Sequence, residues 1–162
     1  DRISQFVAID MTPKVLNDPD WQNGTLNGLN AELNGHFLNA IVADWAKLPA
    51  RIARRLFAEG LPVPECVAEL ARKEIAAADP VLLKPMWSSL TAQDFRPLLK
   101  TFPVPFHLVA GLRSQLYGRG VHRWHLDNVP DFHFHGFEAS GHAPHMEEPD
   151  KFNSLLRNLV KG

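Results

Sequence analysis

The first two strand-like runs of this chain are separated by a long stretch that carries a loop and then several helical patterns, with no further strand-like run. Phe6-Val7-Ala8-Ile9 ends at Asp10, and the next such run extends from Val104 to Ala110. Short continuous apolar runs of this kind form strands that are buried on both faces. A sheet that contains both strands must therefore accommodate several consecutive helices between them, which interrupts the usual alternation of strand and helix.

Apolar residues recur at steps of three and four across this stretch, which is typical of amphipathic helices. The first stripe stops at Pro49, and the third helix begins at Pro64 and closes at Asp79-Pro80. Thr91 and Asp94 are spaced like a capping box and predict a fourth helix. The predicted spans are 29–48, 51–59, 64–79 and one that begins near residue 91. The basic residues of the second helix are interpreted as a solvated face: Arg51, Arg54 and Arg55.

The remaining residues return to an alternation of strands and helices. We expect a helix over 119–126, a strand over 132–137, and a final helix whose apolar stripe from Phe152 to Val160 packs on the sheet. The apolar fraction of 45 % is sufficient for a single core. The order of elements predicts an α/β fold.

A histidine lies in the loop between the last strand and the last helix. Gly141 precedes His142 and allows a sharp turn, and Pro144 stiffens the exit from the loop. Imidazole titrates near neutral pH, and open α/β sheets place their chemistry in loops at the carboxyl ends of strands. His142 is therefore predicted to be a catalytic general base.

The combination of Gly141-His142, Glu147 or Glu148, Pro149 and Phe152 resembles the histidine loop of the α/β-hydrolase superfamily. The resemblance implies the back half of an α/β-hydrolase sheet, mostly parallel, with an inserted helical cap. Its segments would be a core strand at 1–13, the cap or lid at 14–101, and a carboxyl-terminal core segment at 102–162.

The resemblance also implies that His142 relays protons for a serine in a Gly-x-Ser-x-Gly elbow. These 162 residues contain no such elbow. We therefore expect the chain to be the carboxyl-terminal part of an enzyme. Its partner would be the remainder of the hydrolase, an amino-terminal half that carries the nucleophile.

A histidine base needs an anionic partner, and the resemblance offers two positions for it. Most family members carry the acid in the loop that here spans 111–117, where Ser114 stands instead and no carboxylate is present. A minority carry it at the end of the preceding strand of the sheet, which here is Asp10. Asp10 is therefore the expected acid. The other readings are that Asp10 caps a turn, or that Asp127 is the acid.

Three large side chains are candidates for binding the substrate, because a lid over an apolar acyl or aromatic group presents such residues. They are Trp21, Met86 and Trp87. The expected reaction is hydrolysis of a small ester or other acyl compound, without a cofactor. The alternatives are a non-catalytic or split-partner protein that keeps this half of the fold, and a cofactor-free dioxygenase or haloperoxidase-like member of the superfamily.

The histidines suggest a competing metal hypothesis. Six of the eight lie between His122 and His145, and His133-x-His135 on a strand would present two imidazoles on one face. The single cysteine, Cys66, lies far away in the sequence, and the histidine pairs fall on different elements. We therefore predict that no metal is bound.

The balance of 17 basic and 18 acidic residues gives no electrostatic reason to expect nucleic acid or a membrane as a partner. One cysteine and the lack of a long apolar run favour a cytoplasmic protein. The chain starts at Asp1-Arg2-Ile3 without an initiator methionine, so a targeting signal would have been lost with an absent front end.

Overall fold

The computed structural model describes residues 3–161, in which three strands form one parallel sheet. They are β1 (Phe6–Ile9), β2 (Phe106–Gly111) and β3 (Phe132–Phe137), in the order β1-β2-β3. Phe6 lies beside Phe106, which lies beside Phe132. The strand predictions are confirmed, with β2 beginning two residues later than expected.

Five helices lie between β1 and β2 within the described residues, and we call them the inserted helices. They are α1 (Ala31–Ala43), α2 (Pro49–Leu56), α3 (Glu65–Ala76), α4 (Pro80–Thr91) and α5 (Arg96–Leu99). A 3-10 turn at Trp45–Lys47 follows α1. The later helices are α6 (Arg119–Asn128), α7 (Pro144–Glu147) and α8 (Pro149–Lys161). The boundaries 1–13, 14–101 and 102–162 stay a prediction; Asp1, Arg2 and Gly162 lie outside the described residues.

Helix α4 was not predicted from the sequence, which gave no element between Asp79-Pro80 and Thr91. Asp79-Pro80 starts this helix, because the Asp79 carboxylate accepts the N–H of Val81 at 2.8 Å and Pro80 needs no donor in the first turn. The helix expected to begin near Thr91 is α5, but it begins at Arg96, since Thr91 is the last residue of α4. Pro85 lies inside α4, where a proline removes one helical hydrogen bond.

Apolar side chains cover both faces of the sheet, and every residue of β2 is buried. Phe106 and Leu108 pack with Leu99 of α5 on one face. Val109 packs with Phe152 of α8 on the other. Val160 does not share this packing, because its side chain is 82 % exposed. The final helix therefore contacts the sheet through a narrower stripe than its sequence suggested.

Three imidazoles share the face of the sheet that carries Val109. His107 stacks on His133 with ring centroids 4.6 Å apart, and its Nδ1 lies 3.0 Å from Nε2 of His135. Burial, followed by the nearby histidines, lowers the pKa of both His107 and His135 below the usual value. Burial also lowers the pKa of His125 in α6.

We expect the free energy of unfolding to fall as the pH drops below about 6.5, the pKa of an unperturbed histidine. In that range the unfolded chain binds protons that the folded His107, His125 and His135 take up only at lower pH. Urea unfolding at pH 7.5 and 5.5 measures the difference, and His107→Gln should reduce it. Equal stability of the unmodified protein at both values would contradict this expectation.

Candidate active site

Asp10 immediately follows β1 and lies at the carboxyl edge of the parallel sheet. Its backbone N–H donates to the carbonyl of Val109 at 2.7 Å, which extends the pairing with β2 by one residue. Its φ of 41° is in the left-handed region, which aspartate tolerates better than most residues. The turn sends the chain away from the sheet and leaves the carboxylate buried, with 1 % of the residue exposed.

The structure brings Asp10 and His142 together across 132 positions of sequence. Nδ1 of His142 lies 3.0 Å from Oδ2 of Asp10. An ionised carboxylate only accepts hydrogen bonds, so Nδ1 carries the proton in this pair. The His142 side chain is 22 % exposed, whereas that of Asp10 is fully buried. Nε2 is therefore the nitrogen left for chemistry.

Ser114 completes the hydrogen bonding of the Asp10 carboxylate. Its hydroxyl donates to Oδ2 at 2.7 Å, and the N–H of Gly111 donates to Oδ1 at 3.2 Å. The Ser114 oxygen also accepts the N–H groups of Leu116 and Tyr117 at 3.1 and 3.3 Å. Sequence reasoning treated Ser114 only as a vacant acid position. The signal in the sequence was the polar side chain of Ser114, which can donate a hydrogen bond to an acid at the end of the neighbouring strand.

Two carboxylates hold the histidine loop in place. Glu147 accepts the N–H of Ala58 at 2.6 Å and that of Gly141 at 2.7 Å, so it ties the loop to the residues after α2. Glu148 accepts the Ser140 hydroxyl at 2.6 Å. Burial raises the pKa of Glu147 above its usual value, although the hydrogen bonds from the two N–H groups lower it. Both glutamates of the motif thus position the loop.

Glycine is required where the loops after β2 and β3 meet. A Cβ atom at Gly111 would overlap the carbonyl oxygen of Gly141, and one at Gly141 would overlap the backbone of Phe57 and Ala58. These backbones approach more closely than any larger residue allows. This close contact between the two backbones fixes the distance between the His142 loop and the end of β2.

We expect Gly111→Ala to lower the free energy of unfolding by about 2 kcal/mol or more, because backbone must move to admit the methyl group. Gly35→Ala is the control, since Gly35 lies in α1 with open space around it. That change should stabilise the protein by about 0.5–1 kcal/mol. Urea unfolding measures both, and a neutral effect of Gly111→Ala would contradict the close approach.

His142 lines a cavity of about 650 Å³ beneath the inserted helices. Apolar side chains of α1 and α2 form much of its wall, including Phe37, Ile41 and Ile52. Trp87 also lines it, held by a hydrogen bond from its Nε1 to Oδ1 of Asn34 at 2.8 Å. The arrangement places an imidazole beside an apolar space large enough for a small organic molecule.

The other candidate residues lie elsewhere. Trp21 is buried and packs edge-on against Trp124, with its Nε1 donating to the carbonyl of Lys14 at 2.9 Å. Met86 is 68 % exposed, because it faces outward from α4. Asp127 pairs with Arg123 on the surface of α6. Of the three predicted binding residues, Trp87 alone lines the cavity beside His142.

Within residues 3–161, no three histidine, cysteine or acidic side chains are grouped closely enough to hold a metal ion. The His107, His133 and His135 rings stack on one another instead of converging. Every described helix is too short or too polar to cross a lipid bilayer.

No model of a protein family matches the sequence, and no curated protein matches it significantly. Solved structures do match. An esterase from Exiguobacterium antarcticum superposes with a TM-score of 0.85 at 18 % identity over 98 % of this chain and 57 % of its own length. A bromoperoxidase from Bacillus anthracis gives 0.85 at 19 % identity, with 100 % of this chain and 59 % of its own covered. An enol-lactonase from Burkholderia xenovorans gives 0.81 at 15 % identity, with 99 % and 57 % covered.

This chain thus spans less than three-fifths of the length of these structures. The match includes the parallel sheet and the inserted helices, since it covers nearly all of the chain. The chain has the fold of the carboxyl-terminal part of an α/β-hydrolase.

Proposed function

We propose that this chain is the carboxyl-terminal part of a serine-type hydrolase that acts on a small ester or other acyl substrate. The hydrogen-bonded Asp10–His142 pair carries the proposal, because it leaves Nε2 free on a side chain that lines an apolar cavity. The solved structures of similar fold include an esterase and an enol-lactonase, whose names both denote cleavage of an ester bond.

His142 would act first as base and then as acid. Its Nε2 takes the proton from a serine hydroxyl as the oxygen attacks the substrate carbonyl, and returns that proton to the leaving alcohol. Water then attacks the acyl group. Nε2 takes a proton from this water and returns it to the serine oxygen as the acid is released. Asp10 holds the Nδ1–H and stabilises the imidazolium that forms in each step. Ser114 and the Gly111 N–H keep the carboxylate oriented.

The nucleophile of this relay is proposed to lie on the amino-terminal part of the enzyme. Among residues 3–161, no hydroxyl or thiol forms a hydrogen bond with His142. The Ser114 hydroxyl donates to Asp10 and that of Ser140 donates to Glu148. The sequence also contains no Gly-x-Ser-x-Gly elbow.

The outer edge of β1 is where the rest of the sheet would attach. No strand within the described residues pairs with that edge. An apolar groove runs beside it, and its wall includes Phe6, Phe95, Leu98 and Phe102. Buried strands with an unpaired edge aggregate unless the edge is covered. The amino-terminal half is therefore the proposed partner of this surface.

A fluorophosphonate ester tests the proposal, because it phosphonylates only an activated serine. Full-length protein should be labelled on one serine in a Gly-x-Ser-x-Gly elbow outside these 162 residues, as peptide mass spectrometry can establish. Labelling should become much slower in the His142→Ala variant. A label on Ser114 or Ser140, or no label on a folded protein, would count against a serine relay of this form.

A second candidate is a haloperoxidase-like reaction, which the structural match to the Bacillus anthracis bromoperoxidase favours. Bromination of monochlorodimedone in the presence of peroxide, acetate and bromide distinguishes it. Turnover in that assay without ester hydrolysis would favour the second candidate over the first. A folded full-length protein without either activity would favour a non-catalytic role.

A further inference from the structure

The cavity beside His142 carries charge of one sign. Arg51 and Arg55 line it, and no aspartate or glutamate among the described residues does so. His36 and His142 are the other titratable groups on its wall, and most of the remaining side chains are apolar. Guanidinium groups stay protonated at all relevant pH values. A cleft with low-dielectric walls and one sign of charge concentrates ligands of the opposite sign.

The two arginines lie on one face of α2, four residues apart, and are not used in ion pairs. Neither forms a salt bridge with a carboxylate of residues 3–161, although other arginines such as Arg72, Arg96 and Arg123 do. Arg51 is exposed and Arg55 is half-buried. Arg51 thus lies on the solvated face that the sequence predicted, and Arg55 is partly withdrawn from it. The charges of both are available to a ligand.

Arg55 is hydrogen-bonded to the loop that carries Ser114. Its Nη2 donates to the carbonyl of Gln115 at 3.1 Å. The Gln115 amide in turn donates to the carbonyls of Arg54 and Phe57 at 3.1 and 2.9 Å. One N–H of Arg55 thus orients the side chain, and the other N–H donors of the planar guanidinium group remain for a ligand. An oriented guanidinium matches the two oxygens of a carboxylate.

We propose that the substrate is an acyl compound bearing a carboxylate, and that Arg51 and Arg55 bind this group while the reacting carbonyl lies at His142. The apolar wall between them would hold the hydrocarbon part. This inference rests on the proposed ester hydrolysis for its reaction, but the binding of the carboxylate does not depend on turnover. It makes Arg51 and Arg55 the residues that determine specificity.

Three variants of the full-length protein test the role of the charges: Arg51→Gln, Arg55→Gln and, as the matched control, Arg54→Gln. Arg54 is the neighbouring arginine of α2, exposed and outside the cavity lining. The substrates are mono-4-nitrophenyl adipate and the uncharged 4-nitrophenyl hexanoate, which share a six-carbon acyl chain. We expect the unmodified protein to prefer the adipate in kcat/KM, and this preference to weaken at high salt.

Arg51→Gln and Arg55→Gln should each lower kcat/KM for the adipate about 10-fold or more, with less than a threefold change for the hexanoate. Arg54→Gln should change neither. Preference of the unmodified protein for the hexanoate would overturn the inference. An equal loss on both esters, or an equal effect of Arg54→Gln, would do so as well.

A binding measurement separates this inference from the proposed function. Adipamic acid carries an amide at one end and a carboxylate at the other, and hexanamide lacks the carboxylate. Titration calorimetry should show tighter binding of adipamic acid, lost in Arg51→Gln and Arg55→Gln and retained in Arg54→Gln. That result without ester turnover supports the carboxylate site and rejects the hydrolase. Equal binding of both compounds to a protein that hydrolyses neutral esters rejects the site and leaves the hydrolase in place.

Discussion

Replacing His142 with alanine in the full-length protein is expected to lower kcat by roughly 10⁴- to 10⁶-fold, the range seen when the base of a serine relay is removed. Among the described residues that line the cavity, His142 alone carries a nitrogen that is hydrogen-bonded to a buried carboxylate. Without it, the proposed serine nucleophile would lose its general base. Initial rates on 4-nitrophenyl esters at saturating substrate measure the change.

His145→Ala is the matched control, because His145 belongs to the same segment but is exposed and packs against Phe152. It should alter kcat less than about threefold, as expected for a surface substitution away from the reacting groups. A loss of similar size in both variants would indicate damage to the loop. Retained turnover in His142→Ala would remove His142 from the mechanism.

Replacing Asp10 with asparagine is expected to reduce kcat by about 10³- to 10⁴-fold while the protein stays folded. Asparagine has the same shape, and its single amide oxygen can still accept the N–H of Gly111 in place of Oδ1. Its NH₂ group then takes the place of Oδ2, so the Ser114 hydroxyl loses the acceptor that it has in Asp10. Asparagine carries no charge to stabilise the imidazolium, and its NH₂ group can donate to Nδ1 and favour the wrong tautomer. Kinetics and thermal unfolding of the same preparation measure activity and folding together.

Ser114→Ala is the comparison for Asp10→Asn, since it removes one hydrogen bond to the carboxylate and leaves the charge. We expect a loss in kcat of about 10-fold, in line with one hydrogen bond to a charged group. Near-normal turnover in Asp10→Asn would send the search for the acid elsewhere. An equal loss in both variants would mean that the hydroxyl matters as much as the carboxylate.

The placement of Asp10 near His142 could be predicted because it depends on strand ends. The apolar run at Phe6–Ile9 located β1, and the alternation of phenylalanine and histidine in 132–137 located β3. Parallel strands end at one edge, so the residue after each strand is brought to a common site. To predict the contact between Asp10 and His142, one then needs only a motif that identifies the histidine loop.

The inserted helices were harder to predict because their packing depends on tertiary contacts. No helix was predicted for residues 80–90, and the orientation of α4 decides that Trp87 faces the cavity while Met86 faces solvent. Both side chains are large and apolar, so composition could not separate them. The position of Arg51 and Arg55 on the cavity wall was likewise not predicted, because their position relative to α1 and α4 does not follow from the period of α2 alone.

The hydrogen bond between Ser114 and Asp10 was not predicted from the sequence, for a different reason. The sequence indicated that the loop of 111–117 has no carboxylate, and a serine was interpreted as an absence. The hydroxyl lies 2.7 Å from Asp10 because β1 and β2 are neighbouring parallel strands that end at the same edge of the sheet. Such a contact between two strand ends depends on register to within one residue.

The most direct test of the central claim is an ester hydrolysis assay with the pure 162-residue chain, alone and mixed with the polypeptide that carries the Gly-x-Ser-x-Gly elbow. We expect no turnover by the chain alone, and turnover on mixing that is lost when the chain carries His142→Ala. Hydrolysis of aryl esters by the pure chain, abolished by His142→Ala, would contradict the claim, because the nucleophile would then lie within these residues.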